Sequence, residues 1–139
     1  MPRRGRESSV SAKVRSAMST KDVGTKYVAM CREGKQEEAL SELFSPDAVS
    51  VEAFSPPGMD RTVKGIEGIR AKSKWWVSNH TVHKAELFGP YPHDDRFAVR
   101  FVYDITNTPS NKRFTMDEVG LFTVANGQIV KEEFFYTAG

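Results

Sequence analysis

The chain holds a single cysteine, Cys31, among 139 residues. One thiol forms no internal disulfide, so the fold relies on its core, and a reducing, cytoplasmic setting is expected. Cys31 lies in an apolar helical pattern and reads as a small core residue. No apolar run approaches the length of a transmembrane helix. No apolar stretch of signal-peptide length follows the first arginines either. Net charge is only +2, and it is uneven. Residues 1–18 carry +4 through Arg3, Arg4, Arg6, Lys13 and Arg15 against Glu7, which leaves −2 for the remainder. A domain without basic excess argues against nucleic-acid binding through the fold. Residues 1–18 are expected to form a disordered basic leader, with Met18 as an alternative start, and residues 19–139 one domain.

Hydrophobic residues make up 39% and charged residues 27%. That composition suits an ordinary globular domain. A chain of this length buries roughly two thirds of its unfolded surface, enough for one core and too little for two.

Ser19-x-x-Asp22 marks a helix start, Val23, Tyr27, Met30 and Cys31 recur at helical spacing, and Gly34 ends the run. A short second helix carries Ala39, Leu40 and Leu43 and stops at Ser45-Pro46-Asp47. Residues 48–54 read as a strand, with Val49, Val51 and Ala53 on one face and Ser50, Glu52 and Phe54 on the other. A short extended piece, residues 62–64, precedes a third helix over 66–77, with Ile66, Ile69, Ser73, Trp76 and Val77 on one stripe. Four strands follow, over 82–88, 96–106, 113–124 and 128–136, with turns expected at Gly89-Pro90-Tyr91-Pro92 and Thr108-Pro109-Ser110-Asn111. Asn126-Gly127 is a hairpin signal between the last two. Phe97, Val99, Phe101, Tyr103 and Ile105 share one face. Strand 113–124 is apolar on both faces: Val119 and Leu121 on one, Phe114, Met116, Phe122 and Val124 on the other. A sheet apolar on both sides needs cover on both. The helices cover one side, and a second copy of the chain, a homodimer, is the expected cover for the other.

Helix–helix–strand–helix followed by four long strands resembles the nuclear transport factor 2-like fold. Within it, the chain most resembles the SnoaL-like and ketosteroid isomerase-like group. The resemblance spans about residues 20–137. It rests on Leu43-Phe-Ser-Pro-Asp-Ala-Val49, Gly65-Ile-Glu-Gly-Ile-Arg70 and Asn126-Gly-Gln-Ile-Val130. It implies an α+β domain, a cone-shaped curved antiparallel sheet wrapped around the N-terminal helices with an internal pocket. It also implies a cofactor-independent isomerase, cyclase or dehydratase acting on an apolar carbonyl compound. No metal and no cofactor are expected. Non-catalytic binding of small molecules, or of a protein partner, on the same fold stays open as the alternative.

Ketosteroid isomerases place an oxyanion-binding phenol in a Tyr-Val-Ala helix, matched here by Tyr27-Val28-Ala29. Their base lies five residues after the Asp of an Asp-Ala pair; from Asp47-Ala48 that position is Glu52. Their third group, a protonated Asp, falls on Val119, with Asp117 one strand repeat earlier on the same face. The resemblance therefore implies Glu52 as base and Tyr27, with Asp117, as oxyanion donors. It implies a pocket lining of Phe54, Trp76, Phe101 and Tyr103, completed by Leu121, Phe134 and Tyr136.

The residues themselves leave choices open. Glu52 faces either a cavity or water, depending on which side the valines take. Tyr27 is either a core tyrosine or an oxyanion donor. Asp117 and Glu118 point to opposite faces, so at most one enters the pocket, and Asp117 is the one expected. His80 and His83 lie at a helix-to-strand junction, without the spacing of a zinc site. One histidine remains a candidate acid–base partner.

Overall fold

The computed structural model describes residues 18–55 and 57–137. The leader expected over residues 1–18 falls outside the described residues except for Met18, which packs against the core. Three helices and six strands follow in order: α1 (Thr20–Arg32), α2 (Gln36–Leu43), β1 (Phe44–Val51), β2 (Thr62–Lys64), α3 (Ile66–Ser78), β3 (His80–His93), β4 (Arg96–Asn107), β5 (Lys112–Ala125) and β6 (Gln128–Phe135).

Helix α1 starts as its sequence dictates. The Asp22 backbone N–H donates to Ser19 Oγ at 3.0 Å, and the Ser19 N–H donates back to the Asp22 carboxylate at 3.2 Å. This reciprocal cap satisfies two amides that the helix cannot. Gly34, at φ 74°, turns the chain toward α2.

The sheet runs β2-β1-β6-β5-β4-β3. All neighbours are antiparallel except β1 and β6, which pair in parallel. Two boundaries differ from the sequence expectation. Strand β1 begins at Phe44, which pairs with Ile129; Pro46 and Asp47 lie in the register shift before Val49 instead of in a loop. Strand β3 extends to His93, because Gly89-Pro90 forms a bulge between the Phe88 and Tyr91 pairings instead of a turn. Gly89 holds φ 129°, and a Cβ there would stand 2.9 Å from the Ala98 carbonyl oxygen. Only glycine fits that approach.

Directly paired residues share a face of the sheet. The inner face carries Phe97, Val99, Phe101, Tyr103 and Ile105 of β4, all buried. Beside them stand Met116, Glu118, Gly120 and Phe122 of β5, then Glu132 of β6, then Ser50 of β1. Helices α1 and α2 lay Val23, Tyr27, Val28, Leu40 and Leu43 onto this face. Ala48 and Ser50 are fully buried while Val49 and Val51 are not, so β1 turns its Ser50 side inward. That settles the orientation the alternation left open.

The outer face carries Phe88 and Tyr91 of β3, Arg100 of β4, Asp117, Val119 and Leu121 of β5, and Phe135 of β6. Phe88, Tyr91, Val119 and Phe135 are exposed there. No described helix is long and apolar enough to cross a membrane.

Candidate functional site

The inner face is apolar except in one place. Where α3 crosses β1 and the end of β6, five polar side chains form a chain of contacts. Lys72 Nζ of α3 donates to Ser50 Oγ at 2.6 Å, and the Ser50 hydroxyl donates to Glu132 Oε2 at 2.7 Å. The same ammonium lies 3.0 Å from Glu52 Oε1. The Tyr136 hydroxyl closes the chain on Glu52 Oε2 at 3.2 Å. The Phe134 ring stands 5.4 Å from the ammonium. Each residue is placed by its element. Lys72 follows Ile69 by three positions on the helix face that meets the sheet. Ser50 and Glu132 are a cross-strand pair. Glu52 continues the inward parity of Ala48 and Ser50 just past β1.

Glu118 stands near this chain, on the inner face of β5 opposite Phe101. Among the described residues it makes no ion pair and no side-chain hydrogen bond. It is partly buried. Burial, then the neighbouring Glu52 and Glu132 carboxylates, push its carboxyl up to about 7, against the pull of Lys72. Burial also raises Glu132, while the Ser50 hydrogen bond and Lys72 hold it down. The Tyr136 phenol is pushed up to about 12, mainly by burial and then by Glu52. Three carboxyl groups thus surround one ammonium. Removing several charges from water without matched partners is costly, so such a cluster retains a proton near neutrality. Glu118 is the member with no hydrogen bond to its charged form.

The residues singled out from the sequence separate into two sets. Glu52, Phe101, Tyr103, Phe134, Trp76 and Tyr136 face the interior or its rim. Trp76 stacks on His80 at 4.4 Å and meets Tyr103 edge-on at 6.2 Å. The structure does not bring the others to Glu52. Tyr27 is sealed in the core against Phe122, Phe97 and Phe44, at 4.7, 6.1 and 6.3 Å between ring centroids. Its phenol is raised well above the usual range by burial, with Cys31 and Glu132 as the charged or polar neighbours. Asp117 lies on the outer face in a bidentate pair with Arg100, at 2.8 and 3.0 Å, which lowers its carboxyl. Leu121 shares that outer face. Phe54 is half exposed beyond β1, and its carbonyl accepts from Tyr136 at 3.4 Å. Val77, expected on the buried stripe of α3, is exposed.

Lys72 and Glu132 were not singled out, and Glu118 was weighed only as the alternative to Asp117, although the pattern marks all three. Lys72 sits on the stripe of Ile69, Ser73 and Trp76. Glu118 shares parity with Phe114, Met116, Phe122 and Val124. Glu132 shares parity with Phe134. A charge on the core-facing register of an apolar pattern is the signal.

Beside this site, an open groove of about 510 Å³ runs between the first half of β5 and Tyr136-Thr137. Met116 and Tyr136 line it, so it borders the polar chain at its outer end. Among the described residues no three His, Cys, Asp or Glu side chains are grouped to hold a metal ion.

An unclosed six-stranded sheet curved against three helices, with polar groups gathered on its inner face, is the architecture of nuclear transport factor 2-like domains. The SnoaL-like domain family matches residues 18–136, and the chain belongs to it. A Mesorhizobium loti protein described as a SnoaL-like polyketide cyclase is 38% identical, with a TM-score of 0.81 over 86% of this chain and 100% of that one. A Burkholderia pseudomallei protein described as nuclear transport factor 2-like is 19% identical, with a TM-score of 0.66 over 86% and 92%. A Catenulispora acidiphila protein with a ketosteroid isomerase-like fold, solved with trimethylamine, is 19% identical, with a TM-score of 0.60 over 86% and 88%. Among curated proteins no relative matches the chain.

Proposed function

We propose that the chain is a cofactor-independent isomerase, cyclase or dehydratase that moves a proton beside the carbonyl of an apolar small molecule. The observation that carries this reading is Glu118, an unpaired inner-face carboxyl whose burial brings it to about 7. A base that is half ionised near working pH both takes and returns a proton efficiently. The developing enolate oxygen needs a fixed donor or cation in a dry setting. Lys72 supplies it: two of its three protons are engaged by Ser50 and Glu52. The Tyr136 hydroxyl donates to the other oxygen of Glu52 and helps to fix that carboxylate at the rim. In this reading Glu52 orients Lys72 and Tyr136, and Glu118 takes the role of base. Tyr27 and Asp117, buried apart and facing outward, take no part. The relative described as a polyketide cyclase supports the same reaction class.

The experiment is solvent exchange. A panel of apolar ketones and β-dicarbonyl compounds is incubated with the protein in D2O, and loss of the α-proton signal is followed by NMR. Catalysed exchange that falls by about 100-fold or more in Glu118→Gln supports the reading. Exchange unchanged in that variant contradicts it. A second reading, binding without turnover, is favoured by the burial of the Tyr27 phenol among Phe44, Phe97 and Phe122, and predicts ligand binding with no exchange at all.

For the outer face we propose a second copy of the chain as its cover. Phe88, Tyr91, Val119 and Phe135 are exposed apolar groups on one sheet face. Arg100 and Asp117 lie among them as paired opposite charges, which can meet the same pair across a two-fold axis.

A further inference from the structure

Two of the three Lys72 protons are engaged, by Ser50 and Glu52. Glu118 is an inner-face carboxyl that makes no ion pair and no side-chain hydrogen bond among the described residues, and Lys72 acts on it only at longer range. The walls around it are aromatic. Phe101 is its direct cross-strand neighbour. Tyr103 meets Phe101 at 6.2 Å with the rings nearly perpendicular, and Trp76 meets Tyr103 edge-on at the same separation. Phe101 and Tyr103 form a mostly covered floor, while Trp76 and Met116 keep some exposure. Adjoining rings set at steep angles, next to a carboxylate, form the surroundings that attract a substituted ammonium group through ring quadrupoles and charge together. An anionic ligand meets the opposite: Glu52, Glu118 and Glu132 outnumber Lys72, and their repulsion adds to its desolvation.

We infer that the ligand of this site is an apolar organic ammonium ion, taken up between Glu118 and the aromatic wall of Phe101, Tyr103 and Trp76. The inference rests on the proton-transfer reading for the location of the site and adds the charge of the substrate. The two fit together. A bound cation favours the ionised form of Glu118, so a positively charged carbonyl compound arms the base that acts on it. The groups that bear on Glu118 are Glu52 beyond β1, Lys72 of α3, Glu132 of β6, Tyr103 of β4 and Tyr136 after β6. Of these the carboxylates raise its affinity for a proton and Lys72 lowers it.

The test compares three probes by calorimetry and ligand-observed NMR on the full chain: benzyltrimethylammonium, its neutral isostere neopentylbenzene, and 3-phenylpropanoate. The ammonium ion should bind most tightly at pH 8. Its affinity should fall by up to about tenfold at pH 6, as Glu118 goes from roughly nine tenths to one tenth ionised around a midpoint of about 7. Glu118→Gln should remove that pH dependence, and Trp76→Leu should weaken the ammonium ion more than the neutral probe. Equal affinity for ammonium and neutral probes, tighter binding of the anion, or no binding of the ammonium ion overturns the inference. Each of these is independent of the exchange experiment. Catalysed exchange of neutral ketones that depends on Glu118 leaves the proton-transfer reading standing even if the ammonium preference fails.

Discussion

Asp117 and Glu118 are adjacent in sequence and face opposite sides of β5. Asp117 is tied to Arg100 on the outer face. Glu118 stands unpaired on the inner face, across from Phe101. Two neighbouring carboxyl groups are therefore shifted in opposite directions by their surroundings, one down by a guanidinium and one up by burial. The period of two along a strand produces the difference, and the site's chemistry follows from which of the pair turns inward.

The raised Glu118 carboxyl makes stability depend on pH. A carboxyl whose folded value lies near 7, above its ordinary 4.5, favours the protonated folded state. Its cost to the fold is absent below about 4.5, grows as pH rises, and is complete above about 7. Glu118→Gln mimics the neutral acid at every pH. The variant should match the parent at pH 4.5 and exceed it by about 2–3 kcal/mol at pH 8. Denaturant melts at the two pH values check this; an equal difference at both contradicts it.

Ser50 is a fully buried hydroxyl that accepts from Lys72 and donates to Glu132. Ser50→Ala removes both bonds and leaves a buried carboxyl without its donor. The expected loss is about 1–3 kcal/mol. Ser50→Thr, which keeps the hydroxyl, should recover part of it. Chemical denaturation of both variants reads the difference, and an Ala variant as stable as the parent would show that the bridge contributes nothing.

Gly120 is the gap in the inner face between Phe101 and Phe122. A Cβ there would stand 2.8 Å from one Phe122 ring carbon and 3.1 Å from Phe101. Gly120→Ala should cost about 1–3 kcal/mol through overpacking, with the aromatic floor displaced. A thermal melt and the near-ultraviolet circular dichroism of the rings check it. An unchanged spectrum and midpoint would mean that the rings move aside freely.

The outer face should carry the self-association. Val119→Lys, beside Phe135 and Arg100, places a charge in the middle of that patch. Sedimentation should show a dimer for the parent and a monomer for the variant, with the fold intact by circular dichroism. A monomeric parent contradicts the proposed cover.

Much of the fold was legible because period and punctuation agree. The alternation from Phe97 to Ile105 names the buried face of β4, and Ser19-x-x-Asp22 names the start of α1. Bulges were not legible. Pro46 and Gly89-Pro90 read as loop signals, yet both lie within strands, because continuing pairing on either side outweighs a local break. The site was half legible. Glu52 was located by its parity and by resemblance, but the direction of that parity depended on whether Val49 or Ser50 turned inward, which one strand alone does not determine. The pattern that placed Tyr27 on a buried stripe was correct. Asp117 was preferred to Glu118 by counting from the hairpin, whereas the face shared with Met116 and Phe122 pointed to Glu118.

The central claim is that Glu118 carries the site's mobile proton. Carbon-13 NMR titration of the glutamate carboxyl groups, with Glu118→Gln to assign the resonance, measures it directly. The account predicts a midpoint near 7 for Glu118. A midpoint near the ordinary 4.5 would contradict it, because the carboxyl would then be an ionised surface group with no proton to move at neutral pH.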